Sequence, residues 1–259
     1  MAGKLLDQLK VQIRVVRALA VREFQTQQSN LEYGYGWVIF DMILGMAGLL
    51  ILRLAIKGFN RPGLPPMTFI ISGIVPWSMF GQMYGVPISA VQRNQRLLSL
   101  PGVTPLDLVI ASSLRILGTF ALLYVVLMSA SCLYEGVPPP RFTFGIVLLF
   151  LSFWIFGLSL GFMLMALQKL YTPASKFTSF FLRFSTFFSG VIFIVTLFPG
   201  YIWPYLTWNP MLHVEELLHT YWFRAYTTPI GKPSYVIECM VIMAFFGLLL
   251  ERYCRKRFR

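Results

Sequence analysis

The chain has 259 residues, 57% of them hydrophobic and 12% charged, with a net charge of +12; an ordinary soluble domain carries about twice that charged fraction. The stretch from Thr143 to Leu167 holds no charged side chain and exceeds the roughly 20 apolar residues that cross hydrocarbon. Composition therefore excludes a soluble globular domain. The basic residues sit mainly at the chain ends and in short loops, a distribution that membrane topology explains and a nucleic-acid footprint does not.

The first thirty residues read as mature protein, because Lys10, Arg14, Arg17 and Arg22 interrupt any apolar signal region. Residues 4–24 instead place Leu5, Leu9, Ile13, Val16, Ala20 and Phe24 at steps of three or four, opposite Asp7, Lys10, Arg14 and Arg17. This predicts an amphipathic helix on the lipid headgroups; a soluble helical arm is the alternative. Six apolar spans are expected at 33–56, 66–92, 107–134, 143–168, 177–198 and 234–252, an all-α membrane fold. One membrane domain results: an interface helix in 1–32, the bundle in 33–252 and a basic tail in 253–259.

With six spans both termini share a side. That side carries Lys4, Lys10, Arg14, Arg17, Arg22, Arg93, Arg96, Lys169, Lys176, Arg252, Arg255, Lys256, Arg257 and Arg259, against Lys57, Arg61, Arg141, Arg224 and Lys232 opposite. The positive-inside rule puts both termini in the cytoplasm. Cys132, Cys239 and Cys254 offer neither a disulfide framework nor a metal spacing and read as packing residues.

Chemistry concentrates in a few places. The cytoplasmic loop 93–107 contains Leu97, Leu98 and Leu100 between Arg93, Arg96 and the stop at Pro101–Gly102. Exposed leucines there suit docking into a soluble partner, or else lie in interfacial lipid. Gly3-Lys4 and Gly231-Lys232 lack the rest of a phosphate-binding loop, so if the protein performs uphill transport its energy must come from an ion gradient or a separate nucleotide-binding subunit. Asp41, Arg53, Arg115, Arg183 and Glu238 fall inside expected spans. Arginine stays protonated and cannot relay protons, so the three arginines suit an anionic substrate, with snorkelling of Arg53 and Arg183 as the plain alternative.

Aromatic residues cluster at Tyr33, Tyr35, Trp37 and Phe40 and at Trp77, Phe80 and Tyr84. The first group fits an interfacial belt; the last three share one helical face at depth, where they either stack on sugar or pack. The connection from Pro199 to Pro233 is aromatic and semi-apolar, which predicts short helices dipping back into the outer leaflet. Within it, His213, Glu215, Glu216 and His219 contain a single Glu-x-x-His pair, too few for a di-metal carboxylate site. They read as the polar face of a short helix, and no metal is expected.

Two segments, QRNQRLLSLPGVTPLD (Gln92–Asp107) and WNPMLHVEELLHTYWF (Trp208–Phe223), together with the order of elements, resemble the inner-membrane permease subunits of capsule polysaccharide ABC exporters, within the ABC-2 type. That resemblance covers nearly the whole chain. It implies a homodimer capped by two copies of a separate cytoplasmic ATPase that holds the ATP and magnesium, with no cofactor and no catalysis in this chain. The coupling helix would be Arg93, Asn94, Arg96, Leu97, Leu98, Leu100, Pro101 and Val103. Gate helices would comprise Trp208, Asn209, Pro210, His213, Glu215, Glu216 and His219. It further implies a bacterial inner-membrane location, periplasmic or outer-membrane export partners, and an acidic capsular polymer bearing a lipid. O-antigen or teichoic-acid-type polymer is an alternative cargo, and a membrane enzyme acting on lipid-linked sugars is an alternative class. Two-fold symmetry would let Tyr33, Tyr35, Trp37, Trp77, Phe80 and Tyr84, with Arg53 or Arg183, line both walls of a conduit.

Overall fold

A computed structural model describes residues 2–28, 40, 43–48, 50–51, 63–100, 102–170, 185–191 and 195–257. Among these there is no strand, and the regular elements are all helices. Its elements are α1 (Ala2–Gln28), α2 (Pro66–Met83), α3 (Val86–Arg93), a 3-10 turn (Gln95–Ser99), α4 (Pro105–Glu135), α5 (Thr143–Leu170), α6 (Trp203–Leu206), α7 (Pro210–Trp222) and α8 (Pro233–Arg257). Three helices among the described residues are long and apolar enough to cross a membrane, within Pro105–Glu135, Thr143–Gln168 and Pro233–Tyr253. The described residues between 40 and 51 are helical, and most of the span expected at 33–56 lies outside the described residues.

The single span expected at 66–92 is two helices. Tyr84 and Gly85 form a turn between α2 and α3, because Pro87 has no N–H to donate and its ring blocks an unbroken helix four residues back. α5 crosses this break closely. A Cβ on Gly157 would fall 2.5 Å from the Met83 Cβ, and one on Gly161 would fall 2.6 Å from the Tyr84 carbonyl oxygen. Gly157-Leu-Ser-Leu-Gly161 is thus a small-xxx-small contact that lets backbones approach, a signal already present in the sequence.

The helix expected at 177–198 is not continuous in its described part. Residues 186–188 form one 3-10 turn and Val195–Leu197 another, and Gly190 adopts a φ of 86°, a left-handed conformation that a regular helix cannot hold. Leu212 of α7 fills the space beside it, 2.8 Å from where a Cβ would stand.

α1 lies along the start of α4. Gln12 donates to Asp107, the Arg115 Nε stands 3.4 Å from the Glu23 carboxylate, and Phe24 packs over Gly118. Contacts that climb both helices in the same direction make the two parallel. α4 itself starts from a capping box in which Thr104 and Asp107 bond reciprocally, and Pro105 occupies the first turn, where a missing N–H costs nothing. The main core joins α2, α4, α5 and α7 around Phe153, Phe156, Phe120, Met79 and Met83, all buried.

Candidate functional site

Two regions hold the sequence-predicted residues, one at each end of α2–α3. The first is the loop after α3. Asn94 donates through Nδ2 to Glu23 of α1 at 2.9 Å and to the Ala90 carbonyl at 3.1 Å, so the loop is pinned to the N-terminal helix. Arg93 donates to the Ser89 carbonyl at 3.3 Å, and Arg93 and Arg96 face solvent.

The expectation of three exposed leucines is corrected here. Leu97 and Leu98, with Val103, pack on a small cluster formed by Leu19 of α1 and Leu108 and Ala111 of α4. Both are half-buried there, since an apolar pair against an apolar helix face sheds part of its water. Leu100 remains, 51% exposed, and Arg93, Arg96 and Gly102 of the same loop region are exposed too. Pro101 lies outside the described residues.

The second region is the 199–233 connection. Trp208 at its tip is 82% exposed, as are Tyr201 and Tyr205 to similar degree. Asn209 caps α7, accepting from the Met211 N–H at 3.1 Å and donating to the Phe188 carbonyl at 3.3 Å, and Pro210 takes the first helical position.

His213, Glu215, Glu216 and His219 are not an exposed polar face: all four are buried. A 13-residue helix surrounded by α2, α5 and α8 has no solvent side along its middle, so its polar groups find partners inside. His213 accepts at Nδ1 from the Lys232 N–H at 3.2 Å and stands with Nε2 2.9 Å from the Thr207 carbonyl. An accepting Nδ1 and a donating Nε2–H describe a neutral ring, and burial lowers its pKa accordingly. Glu216 accepts from the Tyr226 hydroxyl and from the Val195 N–H at 3.2 Å. His219 stacks on Phe69 of α2 with ring centroids 3.9 Å apart.

Glu215 differs. Both its oxygens are buried without a hydrogen-bond partner among the described residues, and Oε2 points at α2, 3.1 Å from where a Cβ on Gly73 would sit. Burial first, and the neighbouring Glu216 second, raise its carboxyl well above the usual range. Glu216 is raised by burial too, with its hydrogen bonds opposing the shift. No group of three metal-ligating side chains occurs among the described residues.

The aromatic stripe divides by burial. Trp77 and Phe80 lie in the chain's core, their rings 5.2 Å apart, and Trp77 Nε1 donates to the Thr186 hydroxyl at 3.0 Å. Tyr84 is half-buried at the α2–α3 turn. Tyr33, Tyr35, Trp37, Arg53 and Arg183 lie outside the described residues. Arg115, expected as an intramembrane cation, pairs with Glu23. Sequence reading missed both the Glu23 partnership and Gly73, which becomes meaningful only once α7 is known to pack on it.

Residues 14–223 match the family model described as ABC-2 type transporter. The chain is 28% identical over 249 residues to a polysialic acid transport protein, KpsM, of Escherichia coli, covering 94% of each chain. It is 24% identical over 243 residues to the capsule polysaccharide export inner-membrane protein CtrC of Neisseria meningitidis serogroup A, covering 94% of this chain and 92% of the relative. Against BexB of Haemophilus influenzae, also a capsule polysaccharide export inner-membrane protein, identity is 20% over 244 residues with the same coverage.

Proposed function

The chain belongs to the ABC-2 type transporter family, and from that premise we propose that it is the permease subunit of an ATP-driven exporter for capsule-type polysaccharide in a bacterial inner membrane. The observation that carries this reading is similarity along 94% of the chain to inner-membrane proteins of capsule polysaccharide export. Six spans with both termini cytoplasmic fit the basic-residue asymmetry. Six helices around one core leave too little room for a hydrated glycan, so two copies form the conduit, with a cytoplasmic ATPase seated under each. An acidic polymer suits the arginines at 53 and 183, Tyr84 lines the wall, and Trp77 with Phe80 stiffens it from behind. Stacking must guide without gripping, since each sugar has to leave as readily as it arrived.

Energy enters at the loop after α3. Leu100, in the same loop region as Arg93 and Arg96, is the tooth that seats in the ATPase, while Leu97 and Leu98 bind the loop to α1 so that ATPase movement carries the N-terminal helix with it. The outer connection around α7 acts as gate. A membrane enzyme would need acid, base or metal groups converging on an accessible surface, whereas His213, Glu215, Glu216 and His219 are buried within the chain.

The test is co-purification. Leu100→Glu is expected to abolish capture of the ATPase at unchanged permease stability, and Leu98→Glu is expected to lower permease stability itself. Normal complex yield and normal export from Leu100→Glu would overturn the coupling assignment.

A further inference from the structure

Between α4 and α5 runs a groove of about 550 Å³ whose lining is almost entirely apolar. It extends along α4 from Leu117 to Cys132, faces Phe150 of α5, and ends against Pro139, Pro140 and Trp222. At about 1.5 Å of rise per residue the α4 wall is roughly 22 Å long, so 550 Å³ spread over that length is a mean section of roughly 25 Å².

That section decides what fits. A helix with its side chains is about 10–12 Å across, or roughly 80–110 Å² in section, so the groove is too narrow to enclose a helix of a second copy. Carbons in contact stand about 3.5–4.0 Å apart, which gives one polymethylene chain a section of roughly 20 Å². The length also exceeds one leaflet's share, about 15 Å, of a 30 Å hydrocarbon core. The groove has the bore and reach of a single acyl chain.

Two arginines stand next in sequence to its Pro139 end. Arg141 follows Pro140 directly, Arg224 lies two residues beyond Trp222, and both are exposed. Their segments are tied together: the Phe142 N–H donates to the Tyr221 carbonyl at 3.1 Å, and the two rings meet edge-on at 5.2 Å. Glu135, the carboxylate nearest in sequence, is occupied by the N–H groups of Met67 and Thr68 and by the Thr68 hydroxyl. Two exposed cations within two residues of the groove's lining suit a phosphate headgroup.

We propose that this groove is a binding site for one acyl chain of an anionic phospholipid of the bulk membrane, with Arg141 and Arg224 holding the headgroup phosphate. The occupant is a resident rather than cargo, because the floor of the groove, Tyr124, Met128 and Phe150, belongs to the closed core and leads nowhere. A lipid wedged there fixes the angle between α4 and α5 at the end where α7 also packs.

The intact exporter, purified with its ATPase in mild detergent, is analysed by native mass spectrometry and lipid extraction for phospholipid retained per permease chain. Wild type is expected to retain anionic phospholipid in preference to zwitterionic. Ala121→Phe, which fills the groove, is expected to lower retention at least about fourfold, the factor lost with each displaced methylene. Arg141→Gln with Arg224→Gln is expected to keep retention but abolish the anionic preference. Should Ala121→Phe fail to assemble, Val125→Trp on the exposed lip of the groove takes its place. The proposal is overturned by any of three results: unchanged retention in an assembled groove-filling variant, a lipid-linked sugar as the retained species, or efficient cross-linking of two permeases through single cysteines at position 125.

Discussion

Replacing Glu215 by glutamine is expected to make the protein more stable at neutral pH and to flatten its pH dependence. Glu215 is fully buried on α7, neither oxygen is bonded among the described residues, and Oε2 faces Gly73 of α2. Burial holds its carboxyl well above the usual range. Such a group contributes stability below its unfolded pKa of about 4.3, and that contribution is lost as pH rises toward the folded value, at about 1.36 kcal/mol per unit. The wild type therefore loses stability as pH rises above the unfolded value, a loss that Glu215→Gln does not carry at this site. Each kcal/mol so lost lowers the melting temperature by about 2–4 °C for a chain of this size. Glu216 keeps a weaker dependence in both proteins, because Tyr226 and Val195 bond to it. Thermal unfolding of the detergent-solubilised protein from pH 5 to pH 8 measures the difference. Parallel curves for wild type and Glu215→Gln would refute the reasoning and mean that Glu215 has a charged partner.

Glu23→Gln removes the carboxylate that faces the Arg115 Nε and is expected to lower stability; pairing it with Arg115→Met should recover part of that loss, as a double-mutant cycle in thermal unfolding will show. Trp77→Phe removes the bond to Thr186 and is expected to cost about 1 kcal/mol, against about 3–5 kcal/mol for Trp77→Ala. If Trp77 acts only behind the conduit wall, surface polymer tracks stability across this pair. A loss of export in Trp77→Phe with unchanged melting would instead make Trp77 a substrate contact.

The membrane class and the long apolar helices could be read from hydrophobic runs, since Thr143–Leu167 admits no other solvent. Helix starts were equally legible where short-range chemistry sets them: Thr104-Pro105-Leu106-Asp107 is a cap written in four residues. What escaped depends on contacts between segments distant in sequence. Leu97 and Leu98 look exposed until α1 is laid over them, and Glu215 and Glu216 look like a solvated pair until α2, α5 and α8 enclose them. The break in 66–92 was accessible, because Pro87 beside Gly85 argues against a continuous helix, yet hydropathy alone spans it without interruption.

That break gives the proposed coupling a mechanical form. In that proposal α3 carries the loop that meets the ATPase; α2 carries Gly73 and Phe69, on which Glu215 and His219 of α7, the proposed gate helix, rest. From Arg93 to Gly73 is roughly 30 Å of helix, with one flexible joint at Tyr84–Gly85. The joint is not free, because Gly157 and Gly161 of α5 close on the backbone of Met83 and Tyr84. A push at the loop must therefore either turn α2 about that contact, shifting the seat of α7, or be absorbed by opening the joint. Filling the joint decides between them. A Cβ at Gly161 would collide with Tyr84 and Pro87, so Gly161→Ala should fix a different α2–α3 angle. If α2 transmits the push, the gate is then mis-set and export fails although the ATPase still binds.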